Sequence, residues 1–287
     1  MAVGAPLWHR TCLARVCRRP HTRNGQSPAR VRQGGRRERG LTPPSSVDAT
    51  KRLFLQNDHC FETEAMVIAI RDNRFALNQT CFYSGGGGQP SDSGFAILPD
   101  GLHIQIESAF ADEEQVIWHV CSTPVNPKLA GQTIRVHIHS ERWLKLARYH
   151  TVLHVLNTIT LRDYNGWITG VQINEDYSRI DFNLENFSAE LCAELEEKVN
   201  AVLQEGYPIT AYSIPAEEFQ VRTDLLRTLD VRPPVIDGRV RVVEISGFDA
   251  QACGGTHVDS TLDVGRFRIV RTENKGRKNK RLYIELQ

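Results

Sequence analysis

His150-Thr151-Val152-Leu153-His154 and Cys253-Gly254-Gly255-Thr256-His257 lie about a hundred residues apart, and together they constrain this chain more than any other feature. On a helix, residues i and i+4 lie on one face a turn apart, so two imidazoles can reach a single ion. A thiolate and a third imidazole from a glycine-containing loop would complete a four-donor set. That set suits Zn²⁺ better than Mg²⁺ or Ca²⁺, which prefer oxygen. Either motif alone is common by chance, on the surface or in a core. One on an expected helix and the other in CGGTH together predict one zinc ion per chain, held by His150, His154, Cys253 and His257. The fold must then bring two distant segments together.

The pattern around these motifs divides the chain. From Arg52 to Ile138 short alternating stretches are broken by turns: Ala65–Ile70, Phe75–Leu77, Phe95–Leu98, Leu102–Ile106, Val116–Val120 and Thr133–Ile138. Strands at that spacing predict a small β-barrel over residues 50–139. At Ser140, a candidate N-cap, the period becomes helical through about Leu161 and carries both histidines. A helix opening at Ser188 places Leu191, Leu195, Val199 and Val202 on one face, and Gly206 and Pro208 stop it. Strands are expected at 170–173, 178–184 and 209–214, and residues 215–229 read as mostly helix. Arg239–Ile245 reads as a strand running directly into CGGTH. Arg266–Arg271 and Arg281–Leu286 form a hairpin around Asn274-Lys275-Gly276. Residues 140–287 are therefore expected to be an α+β domain following the barrel.

Residues 1–48 are of different composition, with ten arginines and only Glu38 and Asp48 as acids. Lacking an apolar period, they read as a disordered extension. They are either a targeting peptide or sequence from a misplaced start site, with a non-AUG start near Val47 conceivable because the next methionine is Met66. Elsewhere no apolar run is long enough to span a membrane. The formal net charge of +1 predicts no nucleic-acid binding from bulk charge, so any such binding must use local patches. Seven scattered cysteines without CxxC spacing argue for a reducing compartment, and Cys192 reads as a buried thiol.

One loop of the barrel, Phe82-Tyr83-Ser84-Gly85-Gly86-Gly87-Gly88-Gln89-Pro90-Ser91-Asp92, carries four consecutive glycines. Glycine there lets the backbone approach a ligand or another chain segment, or simply makes a surface turn. No Lys-Ser/Thr follows, so it is not a phosphate-binding Walker loop. This loop, HxxxH and CGGTH together resemble the stand-alone alanyl-tRNA editing proteins of the AlaX type, and so the editing portion of alanyl-tRNA synthetase. Ser178–Phe182 and Lys275–Ile284 add to a resemblance covering roughly residues 51–287. CGGTH favours the alanyl branch over the editing domain of threonyl-tRNA synthetase, which usually carries a proline before that histidine. Gly85 stands where the family more often has a bulkier or acidic residue.

The resemblance implies zinc on His150, His154, Cys253 and His257, with Gly85–Gln89 beside the pocket and Gly86, Gly87 and Gly88 as candidate substrate contacts. It implies an aminoacyl-tRNA deacylase, a trans-editing hydrolase acting on Ser-tRNA(Ala), with Gly-tRNA(Ala) a second candidate. ATP and nucleotide binding belong to the parent synthetase family. A pocket built for alanine rejects serine and glycine weakly, so the error is removed after transfer. Zinc would anchor the α-amine or activate water, and four protein ligands would require one, expected to be His257, to be loosely held. Thr151 and Gln89 are the candidate catalytic contacts, Thr151 either bonding a serine hydroxyl or its own helix backbone. No HExxH glutamate is present, which argues against a zinc protease. Arg266, Arg268, Arg271, Lys275, Arg277, Lys278, Lys280 and Arg281 form a basic tract, read as tRNA phosphate contacts or as a solvated hairpin. Arg271, Lys275, Arg277 and Lys278 are the candidate substrate contacts. The alternatives are a tRNA-binding module with structural zinc, editing of Ser-tRNA(Thr), and a zinc hydrolase for another substrate. The expected location is cytoplasmic, or mitochondrial if residues 1–48 are a transit peptide.

Overall fold

The structure, a computed structural model, describes residues 49–185, 188–228 and 232–287. The Arg-rich stretch 1–48 and the end of the expected 215–229 helix lie outside them. In chain order the first strands are β1 (Lys51–Arg52), β2 (Glu62–Arg71), β3 (Arg74–Leu77) and β4 (Gln79–Thr80). They are followed by β5 (Gly94–Ile97), β6 (His103–Ala111), β7 (Ile117–Cys121) and β8 (Thr133–Ile138). β1 and β4 pair in parallel, and the other six close an antiparallel barrel in the order β2-β3-β7-β6-β5-β8, with β8 returning to β2. Period-two burial closes it: in β8, Ile134, Val136 and Ile138 are buried while Thr133 and Arg135 face solvent.

Helix α1 (Ser140–Tyr164) follows the barrel at once. His139, not Ser140, occupies the N-cap, and no side chain caps it. The helix runs past the expected end at Leu161 because Asn165, at φ 53°, adopts the left-handed cap conformation and returns its N–H to Leu161. Every residue from Tyr149 to Thr160 is buried, so α1 is a central helix rather than a surface one. Its buried polar side chains must therefore find partners inside the protein.

Beyond it come β9 (Trp167–Ile173), β10 (Ser178–Asn183), α2 (Ala189–Gln204), β11 (Ile209–Pro215) and α3 (Ala216–Val221). β12 (Arg239–Ile245), β13 (Asp249–Ala252), β14 (Phe267–Gly276) and β15 (Asn279–Leu286) complete the chain. One antiparallel sheet has the order β14-β15-β10-β9 and a second β11-β12-β13. Ser188 does cap α2, its hydroxyl accepting from Leu191 N–H at 3.2 Å, and Leu195, Val199 and Leu203 are buried. Cys192 is only half-buried, against expectation.

Three further boundaries differ from the sequence reading. Of residues 215–229 only the six of α3 are α-helical; Arg222 leaves helical geometry, and a 3₁₀ turn at Thr223–Leu225 follows. Phe219 and Leu225 are the buried apolar anchors there, too few to hold a longer helix. β12 does not run into CGGTH but turns at Gly247 into β13, whose Asp-Ala-Gln-Ala carries little strand propensity. The terminal hairpin turns at Arg277-Lys278, because Lys280 Nζ reaches back to Asn274 Oδ1 and Gly276 O, both at 2.9 Å. Barrel residues Phe75, Ile106 and Val136 share one hydrophobic core with Leu153 and Leu156 of α1 and Phe182 and Phe267 of the larger sheet. Among the described residues no helix is long and apolar enough to cross a membrane.

Candidate metal centre

His150 and His154 come from one face of α1, and Cys253 and His257 from the loop after β13. Their four donor atoms lie within 4.8 Å of one another. His150 Nε2 and His257 Nε2 stand 3.4 and 3.5 Å from Cys253 Sγ. In a tetrahedral zinc site, ordinary Zn–S and Zn–N bonds separate sulfur from nitrogen by about 3.6 Å. These donors therefore fit one ion. Burial lowers the His150 imidazole to about 3, with Arg241 adding to the effect. Burial first, then the neighbouring histidines and Arg241, also holds His154 and His257 well below the usual range. All three rings are thus neutral, the form that ligates. Burial pushes the Cys253 thiol up, partly offset by Arg241 and the Gly255 N–H. A divalent cation would reverse that by favouring the thiolate.

The outer nitrogens are held from behind. His150 Nδ1 lies 2.6 Å from Gln89 Oε1, which also accepts from Thr256 N–H at 3.3 Å, while Gln89 Nε2 donates to Thr256 Oγ1 at 2.8 Å. The backbone N–H identifies that amide atom as oxygen, so Nδ1 carries the His150 proton and Nε2 presents its lone pair to the cage. His257 Nδ1 meets Thr151 Oγ1 at 3.1 Å in the same way. Partners of this kind fix ring orientation and ligand basicity. Gln89 and Thr151, expected to touch substrate, are buried behind the ligands and do not line the cavity. Thr151 engages the ring of a ligand rather than its own helix carbonyls.

The sequence reading missed Arg241. Buried in β12, it donates through NH1 to Gly255 O at 2.7 Å and Cys253 O at 3.2 Å. Its NH2 spans both carboxylate oxygens of Asp58 at 2.7 and 2.8 Å. It thereby ties the metal loop to the segment entering the barrel. Burial raises the Asp58 carboxyl even so, with Arg241 pulling it back. An arginine inside Val240-Arg241-Val242-Val243 was the available signal; Asp58 had none.

A cavity of about 340 Å³ opens onto the donors, and His150, His154 and Cys253 form part of its wall. His257, expected to be the loosely held donor, is not in that wall and is 2 % exposed. Gly85, Gly86 and Gly87 form another side. The glycine loop is tightly docked: Gly86 and Gln89 exchange backbone hydrogen bonds of 3.0 and 2.9 Å, and Ile173 N–H donates to Gly88 O at 2.8 Å. At Gly88, φ is +86° and a Cβ would lie 2.6 Å from Val171 O, so glycine is required for the loop to meet β9. A larger, shallower hollow along α2, near Glu196 and Arg266, is remote from the donors.

The basic tract divides. Lys280 is buried and holds its own turn, and Arg281 forms a bidentate pair with Asp181 at 2.7 Å, so both are structural. Arg271 and Lys275 share Glu273 at 2.6 and 2.8 Å, and Arg271 lies 3.9 Å over the Tyr283 ring. Lys278 reaches Glu185 at 3.5 Å, and Arg277 is exposed. None of these lines the cavity; Arg271 and Lys275 lie on β14, the edge strand opposite β9, and Arg277 and Lys278 lie in the turn between β14 and β15.

A family profile described as the threonyl and alanyl tRNA synthetase second additional domain matches residues 240–283, which include Arg241, Cys253 and His257. An alanyl-tRNA editing protein AlaX-M of Methanosarcina acetivorans is 32% identical over 242 residues, 83% of this chain and 99% of that protein. The AlaX-M of Saccharolobus solfataricus is 32% identical over the same shares. An alanine–tRNA ligase of Korarchaeum cryptofilum is 34% identical over 77% of this chain but 24% of its own length. Matched over 83% of its length by proteins of that type, which it covers to 99%, and bringing together the four donors that its sequence predicts, this chain belongs to the AlaX-M family of alanyl-tRNA editing proteins.

Proposed function

We propose that this chain is a trans-editing hydrolase that deacylates Ser-tRNA(Ala), and Gly-tRNA(Ala) second, at a zinc centre of His150, His154, Cys253 and His257. The observation that carries this reading is the cavity ending on three of the four donors, because a purely structural site has no need of an open wall. Zinc bound there would supply a Lewis acid for the ester carbonyl or an anchor for the α-amine. The chain's own residues do the rest. Gln89 and Thr151 hold two imidazoles in the ligating tautomer, and Arg241 with Asp58 fixes the loop that presents Cys253. Leu153, Ile168, Val171 and Ile180 line the cavity with apolar surface and limit water. The ester of aminoacyl-tRNA is already activated, so positioning supplies much of what is needed. Exposed Arg271, Lys275, Arg277 and Lys278 are proposed to contact tRNA phosphates, and the cytoplasm is the proposed place of action.

Four protein donors favour one competing reading, a tRNA-binding module with a closed structural zinc. The family profile names threonyl as well as alanyl synthetases, which keeps Ser-tRNA(Thr) as the competing substrate. Hydrolysis assays on Ser-tRNA(Ala), Ala-tRNA(Ala) and Ser-tRNA(Thr) separate the three. Selective hydrolysis of the first supports the proposal. Binding without turnover supports the module, and selective hydrolysis of Ser-tRNA(Thr) the other substrate.

A further inference from the structure

Among the described residues lining this cavity, three buried polar atoms have no hydrogen-bond partner: the donors Arg52 Nε and Arg227 Nε, and one acceptor, Asn157 Oδ1. Asn157 follows His150 and His154 at i+7 and i+3 on the same face of α1, and it lines the cavity with them. Its side chain is 3 % exposed, and its Oδ1 is buried without a hydrogen-bond partner. A buried acceptor left unpaired is costly, so its persistence calls for a donor from outside the chain.

The orientation of the amide is fixed by its neighbours. Gln251 Nε2 lies 3.1 Å from His154 O, which can only accept, and 2.9 Å from Thr158 Oγ1. Gln251 Oε1 therefore faces the other way and accepts from Asn157 Nδ2 at 3.1 Å. With its NH₂ engaged there, Asn157 is left with Oδ1 as its one unpaired polar atom, on a residue that stands in the cavity wall. Rotating the amide would set two carbonyl oxygens against each other.

We propose that Asn157 Oδ1 is the acceptor for the side-chain hydroxyl of the seryl ester, and so a specificity-determining residue of the editing site. Three residues of helix rise place it about 4.5 Å along α1 from His154, on the same cavity wall. Alanine would present a methyl to the same oxygen and leave it unpaired. Glycine would leave room for a water. The site thus rejects the correct product by failing to satisfy a buried atom, a mismatch that discriminates more strongly than a missing methylene.

This inference rests on the editing function proposed above, and the test separates the two. Wild type and Asn157→Ala are compared for kcat/KM on Ser-tRNA(Ala), Gly-tRNA(Ala) and Ala-tRNA(Ala), with zinc content measured on each preparation. The expected result is a Ser/Gly selectivity ratio lowered about tenfold or more, with zinc retained. An equal fall on both esters, or none, overturns the role of Asn157 while leaving the editing function standing. A wild type inactive on Ser-tRNA(Ala) overturns both. If Asn157→Ala fails to hold zinc, a wild-type structure with a non-hydrolysable seryl-adenosine amide decides. Serine Oγ should lie about 3 Å from Asn157 Oδ1, and a hydroxyl directed elsewhere overturns the proposal.

Discussion

Replacing Gly255 by alanine tests whether the cage depends on a backbone that no side chain may crowd. The added methyl would lie 2.2 Å from His150 Cε1, 2.4 Å from His150 Nδ1 and 2.7 Å from Gln89 Oε1. Carbon contacts become ordinary near about 3.5 Å, so ring and loop must separate by more than about 1 Å. Neither yields easily. His150 sits in a stretch of α1 buried throughout, and Arg241 grips Gly255 O at 2.7 Å. The 2.6 Å contact between His150 and Gln89 therefore breaks first. Overpacking of this kind costs about 1–3 kcal/mol. Loss of an outer partner of a ligand weakens metal binding about ten- to a hundredfold. Gly254→Ala is the matched control, since its Cβ would meet Pro234 Cγ at 3.4 Å and nothing nearer. Zinc affinity, measured by competition with a chromophoric chelator, should fall at least about tenfold in Gly255→Ala. In Gly254→Ala it should change less than about twofold. Wild-type affinity in Gly255→Ala, or equal losses in both, would refute the reasoning.

Thr151→Val removes the acceptor for His257 Nδ1 and should weaken zinc binding about ten- to a hundredfold with the Ser/Gly selectivity ratio unchanged. Altered selectivity at full zinc occupancy would make Thr151 a substrate contact instead. Arg241→Met strands Asp58 and two loop carbonyls, and should lower stability by about 3 kcal/mol or more in denaturant titration, a loss under about 1 kcal/mol contradicting that role. Burial raises the Asp92 carboxyl from its usual value to about 7, against the opposing pull of the Tyr83 N–H and of Arg142. The folded state therefore holds this proton more tightly than the unfolded chain. Its contribution is complete below the unfolded value of 3.8 and is lost as pH rises towards about 7. The Asp92→Asn variant keeps an acceptor for Tyr83 N–H and has no such proton, so it should gain on wild type across that window, and parallel stability curves would contradict the assignment.

Much of this molecule was legible where local pattern and tertiary burial agree. Alternation in Thr133–Ile138 announced a barrel strand, and the i,i+4 histidines announced a helix with a ligating face. The Gly-rich loop was legible as a close approach, though not its target, since Val171 lies far along the chain. What was not legible shares a cause. Sequence gives the proximity of Thr151 and Gln89 to the site but not that they meet the outer nitrogens of His257 and His150. Arg241 and Asp58 pair across 183 residues, a separation no local pattern reports. Asn157 stood in a run that reads as core, and only its unpaired oxygen sets it apart. Residues 215–229 carried a helical period, but among its described residues only Phe219 and Leu225 are fully buried in an apolar cluster, with Leu226 packed at its margin.

The central claim is that the cage and its cavity form a zinc-dependent editing site, and one paired rate measurement tests it most directly. Purified protein, stripped of metal and then reloaded with Zn²⁺, is assayed on Ser-tRNA(Ala) beside Ala-tRNA(Ala). The account predicts that the reloaded protein cleaves the seryl ester about a hundredfold faster than the alanyl ester, and that the stripped protein cleaves neither. Equal rates on the two esters, or full activity without metal, would contradict it.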